Sequence, residues 1–155
     1  MDAPDQWHLT LHFLGEVPAD RIADLERSLR PSLVGARGFS LHLEGLGAFP
    51  SPRAPRVLWV GLGGDLPGLQ DVRQRVVQAC AGFGEPADPR PFHPHLTLGR
   101  TRQPDPQALR AWREASGDAH PLPPCEWLVG RVALCRSELH PAGAVHTELA
   151  AFPLA

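Results

Sequence analysis

The sequence predicts an α+β fold with antiparallel sheets, and three observations predict it. Short stretches with a hydrophobic period of two alternate with amphipathic stretches of period 3.6 along the whole chain. None of the former is the long, uniformly apolar run that a strand buried in a parallel sheet requires. The tetrapeptide HLTL occurs twice, at His8 to Leu11 and at His95 to Leu98, 87 positions apart, and each copy is followed by a helical pattern and then two strand patterns. The second half therefore reads as a repeat of the first.

Taken in order, Gln6 to Phe13 alternates as a half-buried strand does, and Gly15 ends it. Pro18 and Asp20 open a helix in which Ile22, Leu25 and Leu29 recur at spacings of three and four, and Pro31 is expected to stop it. Phe39, Leu41 and Leu43 form a second alternating run up to Gly45. Val57 to Val60 is a third strand, after the proline-rich SPRAP loop and before GLGG. Leu66, Leu69, Val72, Val76 and Cys80 share one helical face, closed near Gly82 and Gly84. Phe92 to Leu98 is a strand, and Pro106 to Ala115 a helix that Asp105 can cap. Trp127 to Cys135 and Val145 to Phe152 are further strands.

The 155 residues, 43% hydrophobic and 21% charged, suit one globular domain spanning 1–155. All 15 basic residues are Arg, and Lys, Asn and Tyr are absent. With 15 Gly and 18 Pro, that bias reflects base composition of the gene more simply than function. A net charge of −2 opposes coating of long nucleic acids, which needs many cation–phosphate contacts, yet leaves room to grip one phosphate-bearing end. No stretch is long and apolar enough for a membrane span, and MDAPDQWHLT has neither a basic nor an apolar leader segment, so a cytoplasmic protein is expected. Cys80, Cys125 and Cys135 are odd in number and form no CxxC pair; they suggest neither a disulfide framework nor a zinc ribbon.

On a strand, residues two apart share a face. His8, Thr10 and His12 then face one side and Leu9, Leu11 and Phe13 the other, and His95 and Thr97 oppose Leu96 and Leu98. Each copy offers one imidazole beside one hydroxyl. If the copies are related by an approximate twofold axis, two acid–base groups and two hydroxyls converge on one cleft. That inventory suits phosphodiester chemistry without a metal, because imidazole has both protonation states populated near neutrality. Histidines in opposite protonation states predict a bell-shaped rate profile between about pH 5 and 8. Single HxT strings are commonplace and mostly structural; two identical ones in matching positions of a repeat are not.

Two other readings are weaker. His8 and His12 are four apart as in HExxH, and His93 and His95 form a second pair, but the Glu is missing and the first segment reads as a strand. Gly61-Leu62-Gly63-Gly64 lacks the third glycine of a dinucleotide fingerprint, Leu66 standing in its place.

The stretches from His8 to Gly15 and from Phe92 to Arg100 resemble the two HxTx motifs of the 2H phosphoesterase superfamily, nearest its RNA 2′,3′-cyclic phosphodiesterase (2′-5′ RNA ligase) branch. Gly45 to Leu62 and Leu134 to Leu154 resemble that family's inter-motif segment and closing hairpin, so the likeness covers essentially the whole chain. It implies a bilobal fold with interleaved lobes, two pseudo-twofold antiparallel sheets with helices outside, and a V-shaped cleft. It also implies hydrolysis of an RNA 2′,3′-cyclic phosphate to a 2′-phosphate, with 2′-5′ ligation as a side or reverse reaction and no cofactor. His8 falls on the proton donor, His95 on the proton acceptor, and Thr10 and Thr97 on the phosphate-binding threonines. Arg100 matches a family arginine, but strand parity opposes it to His95 unless the strand ends or bulges first. Phe13 and Phe92 match family aromatics, with core packing expected over base stacking.

Two departures stand out. Only seven residues precede His8, where the family has a further strand and helix. The N-terminal lobe is thus expected to lack them and to leave an unpaired strand edge and an exposed apolar face. His146 stands where the family often has Tyr. The partner expected is an RNA or nucleotide end bearing a 2′,3′-cyclic phosphate, taken by a single subunit away from membranes. The alternative is an RNA-end-binding protein with little or no turnover.

Overall fold

The computed structural model describes residues 8–51, 53–101, 105–115 and 124–155. They fall into two compact units. One comprises residues up to 9, 42–64 and 93–126, and the other residues 10–41, 65–92 and 127–155. Among the described residues, six strands and three α-helices follow in the order α1 (Ile22–Leu33), β1 (Phe39–Phe49), β2 (Val57–Gly64), α2 (Leu66–Ala79), β3 (His95–Arg100), α3 (Pro106–Ala115), β4 (Glu126–Val129), β5 (Arg131–His140) and β6 (Gly143–Pro153). Strands β3, β2, β1 and β4 are hydrogen-bonded in that order into one sheet, and β5 and β6 form a second. The β2–β3 and β5–β6 pairs are antiparallel. This is the α+β class expected, and each HLTL copy is followed by a helix and two strands.

In the second unit the two helices pack through the stripes seen in the sequence. Leu25, Leu29 and Leu33 of α1 and Leu69, Val72, Val76 and Ala79 of α2 are buried. Ser28 Oγ donates to the Ala79 carbonyl (2.6 Å), and Ser32 Oγ donates to the Arg75 carbonyl (3.0 Å). Asp65 caps α2, its Oδ1 accepting from the Gly68 N–H at 2.9 Å. Helix α1 does not stop at Pro31 but runs through it to Leu33. Proline inside a helix costs about 3 kcal/mol. Three leucines buried along one face contribute roughly 1.5–3 kcal/mol each, which outweighs it.

The single strand expected from Trp127 to Cys135 is two. The chain leaves β4 at Gly130 and changes partner, β4 joining β1 and β5 pairing with β6. The corner is fixed by the Gly130 carbonyl, which accepts from Leu154 N–H (2.8 Å), while the Ala155 N–H donates to Ala36 (2.7 Å). In the first unit, α3 has the bounds expected, and Asp105 Oδ1 accepts from the Gln107 N–H (3.1 Å) at its start.

The first HLTL copy departs most from expectation. Residues 8–13 are not a strand and belong to neither sheet; Gln6 and Trp7 lie outside the described residues. Alternation makes an amphipathic face, but only a hydrogen-bonded neighbour makes a strand. The segment is tied down just beyond, where the Leu14 carbonyl accepts from the Glu85 N–H at 2.7 Å. Gly84 (φ +62°) brings its backbone so close to that carbonyl that a Cβ would lie 2.1 Å from it. Phe13, expected in the core, is 66% exposed.

Candidate active site

The second HxT motif is built into β3. His95 pairs with Gly61 and Thr97 with Trp59, so both side chains stand on one face of the β2–β3 ladder. The register then slips: Leu58 pairs with Gly99 and Val57 with Arg100, leaving Leu98 as the extra residue of a β-bulge. Because β2 alternates regularly, Val57 shares the face of Trp59 and Gly61. Arg100, opposite Val57, therefore stands on the face of His95 and Thr97. The parity objection to Arg100 is removed by the bulge.

His95 is held by its surroundings. Its Nδ1 lies 2.6 Å from the His93 carbonyl oxygen. A carbonyl can only accept, so Nδ1 carries the hydrogen, and in the neutral ring Nε2 is the basic nitrogen. Phe49 meets the imidazole edge-on at 5.2 Å between centroids, Trp59 lies 6.1 Å away, and Phe49 and Trp59 contact each other at 5.1 Å. His93 stands edge-on to Trp59 at 4.9 Å. Gly47 leaves room for this cluster, since a Cβ there would fall 2.2 Å from the Trp59 ring. On β1, His42 Nε2 approaches Glu44 Oε1 at 3.4 Å, and both side chains reach over Gly63. His42 and Glu44 escape the sequence reading because they belong to no motif, and Phe49 and Trp59 because nothing local ties their rings to His95.

The first motif is more open. His8 and Thr10 are exposed. His8 lies in the same unit as His95, Thr97 and Arg100, and Thr10 belongs to the other. His12 is half-buried, and its pKa is lowered by burial and by the charge of Arg73. Phe92 is half-buried against the Arg73 guanidinium, whose carbon lies 4.5 Å from the ring centroid. His146, at the position where the family often has Tyr, pairs through Nδ1 with Ser137 Oγ at 2.8 Å across the β5–β6 hairpin. Among the described residues, no three His, Cys, Asp or Glu side chains gather as a metal site, and no helix is long and apolar enough to cross a membrane.

Comparison with known proteins assigns the chain to a family. The family model of the 2′-5′ RNA ligase superfamily matches residues 3–141. An RNA 2′,3′-cyclic phosphodiesterase of Methanothermobacter thermautotrophicus is 32% identical over 97% of this chain and 80% of its own length. One from Geobacillus stearothermophilus is 34% identical over 97% of this chain, which spans only about half, 46%, of that relative. The crystal structure of Escherichia coli LigT complexed with 3′-AMP superposes with a TM-score of 0.70 and 28% identity, over 98% of this chain and 79% of the other. With a repeated HxT pair, an α+β fold and a family match over most of its length, the chain belongs to the 2′-5′ RNA ligase superfamily.

Proposed function

We propose that this protein hydrolyses RNA 2′,3′-cyclic phosphate ends to 2′-phosphates by a two-histidine mechanism that needs no metal, with 2′-5′ ligation as a reverse or side reaction. The single observation that carries the reading is the shared face of His95, Thr97 and Arg100 on β3. In the proposed step, His95 Nε2 takes a proton from water, whose oxygen bonds to phosphorus. The bond from phosphorus to the 3′ oxygen breaks, and that oxygen takes a proton from His8. The negative charge that grows on the phosphate oxygens is met by the Arg100 guanidinium and the Thr97 hydroxyl. The hydrogen bond from His95 Nδ1 to His93 supports the acceptor assignment, because it leaves Nε2 the basic nitrogen. Relatives carrying the phosphodiesterase name support the substrate class.

The test is turnover of a nucleoside 2′,3′-cyclic phosphate with identification of the product isomer. A 2′-phosphate is expected, formed equally well with a chelator present. His8→Ala and His95→Ala should each lower kcat by about 10² to 10⁴, the usual worth of a general acid or base. An unmutated chain that binds such ends without turnover would instead be a binding protein.

A further inference from the structure

The sheet face that carries His95 extends beyond β3. Along β2, Val60 and Leu62 belong to the core, and the residues that alternate with them, Trp59, Gly61 and Gly63, turn to the other side. Gly61 stands opposite His95 and Trp59 opposite Thr97, so that side is the face of the proposed site. Gly63 continues it, and there the neighbouring strand β1 supplies two side chains. A Cβ on Gly63 would collide with Glu44 Oε1 and His42 Nε2. The His42–Glu44 pair therefore shares a sheet face with His95 and Thr97. All these residues belong to one compact unit.

Folding gives little reason for the pair. It is exposed, His42 at 43% and Glu44 at 61% of their side chains, and exposed ion pairs add little stability. It also sets a carboxylate on a face whose imidazole, hydroxyl and guanidinium suit an anion, where a second negative charge opposes the first. A carboxylate suits such a face when it meets a neutral group rich in N–H donors. The floor between it and His95 is backbone. Gly61 has no side chain, the Gly45 carbonyl oxygen lies 3.3 Å from where its Cβ would be, and the Trp59 ring borders the same point at 3.5 Å. Strands lie about 4.8 Å apart and rise about 3.3 Å per residue, so the diagonal from His95 across Gly61 to β1 beside Gly63 is roughly 12 Å. A nucleotide held by its phosphate at one end and by the far edge of its base at the other is of that size.

Among the four RNA bases, guanine alone carries two neighbouring N–H donors on its Watson–Crick edge, N1–H and the 2-amino group. They meet the two oxygens of one carboxylate as a parallel pair, the arrangement that makes charge-assisted hydrogen bonds strong. Adenine and cytosine offer one amino group beside an accepting ring nitrogen, and uracil one N–H between two carbonyls. Each of these sets a lone pair against the carboxylate. We infer that Glu44, braced by His42 at 3.4 Å, reads the base of the terminal nucleotide and makes the protein prefer 2′,3′-cyclic phosphate ends that carry guanine. The inference rests on the function proposed above and names the end that the same site favours.

The test compares the 2′,3′-cyclic phosphates of guanosine, inosine and adenosine. For the unmutated protein, kcat/KM on guanosine should exceed that on adenosine about tenfold, the worth of one charge-assisted hydrogen bond, and mainly through KM. Inosine keeps N1–H and lacks the 2-amino group, so it should fall between them. Glu44→Gln should bring the guanosine-to-adenosine ratio close to one, with KM for guanosine rising more than kcat falls. His42→Ala, which frees the carboxylate, should lower the ratio about threefold. Circular dichroism and thermal midpoints check that the variants fold. An unmutated chain with no guanine preference, inosine matching guanosine, or a preference that survives Glu44→Gln overturns the inference. If the unmutated protein turns over none of the three, the phosphodiesterase reading fails separately. The base contact is then read by titration calorimetry with guanosine and adenosine 2′-monophosphates. Guanosine should bind about tenfold tighter, and Glu44→Gln should abolish the difference. Equal affinities in the unmutated chain would sink it.

Discussion

Thr97 and Arg100 stand on the same face of β3, although an uninterrupted strand would turn residues three apart to opposite faces. The bulge at Leu98 makes the difference. It adds a cation to the face that carries His95, where the proposed mechanism has a phosphoryl group gain negative charge. Arg100→Ala should therefore lower kcat/KM for a cyclic phosphate by roughly 10², as loss of one preorganised donor to a developing charge does. Arg100→Lys should recover only part, since it keeps the charge and loses the fork. Steady-state kinetics of the two variants check this, and wild-type values for Arg100→Ala would remove Arg100 from the mechanism.

The Trp59 ring depends on the absence of a side chain at Gly47, where a Cβ would fall 2.2 Å from it. Gly47→Ala must push back a ring that touches Phe49 and His93 and flanks His95. Overpacking of this kind costs about 1–3 kcal/mol. We expect a lower unfolding midpoint in urea and a kcat that falls more than KM changes. Loss of stability with intact kcat would show that the ring cluster supports the fold and not the imidazole.

A backbone approach anchors the first motif from its C-terminal side. Gly84→Ala faces both a positive φ and the Leu14 carbonyl at 2.1 Å, whereas Gly82→Ala, also at positive φ (+85°), opens onto free space. The Gly82 substitution should cost about 1 kcal/mol and the Gly84 substitution roughly 2–4, since the hydrogen bond from Glu85 to Leu14 is displaced as well. Denaturant melts of the pair give the difference. Equal costs would mean that the approach at Leu14 relaxes freely.

Asp88 provides a pH prediction. Its hydrogen bonds from Arg90 lower its pKa from 3.8 to about 2. A carboxylate depressed in the folded state contributes stability that is present above the unfolded value and is lost as pH falls through the folded one. The difference in thermal midpoint between the wild type and Asp88→Asn should thus be present at pH 6, shrink below pH 4 and disappear near pH 2. The pair is exposed, so the difference should be small. A gap that persists at pH 2 would assign it to something other than the charge.

Thiol chemistry should separate the three cysteines. Cys80 is buried, and burial pushes its thiol up to about 11, while Cys125 and Cys135 are exposed. Thiolate is the reactive form. Iodoacetamide at pH 8 should modify two cysteines in the native protein and the third only after unfolding, as counted by mass spectrometry.

Most elements were legible because their signals are local. The leucine stripe of α1, the apolar face of α2 from Leu66 to Val76, and the Asp105 cap of α3 depend on residues within a turn or two of one another, and they appear where the sequence puts them. The paired HLTL strings marked His8, Thr10, His95 and Thr97 for the same reason. The errors all involve a partner distant in sequence. Residues 8–13 alternate as a strand does but have no ladder to join. Pro31 was overruled by leucines buried against α2. Gly130 became a corner only because β4 and β5 found different neighbours.

The sequence by itself determined the class of fold, the helices and the chemical inventory of two imidazoles and two hydroxyls, since these depend on residue type and short-range periodicity. Tertiary structure alone decided that Arg100 joins His95, that His95 offers Nε2, and that His42 and Glu44 reach over Gly63. Each of those depends on which backbone lies opposite which, and register, bulges and carbonyl contacts arise only when distant segments meet.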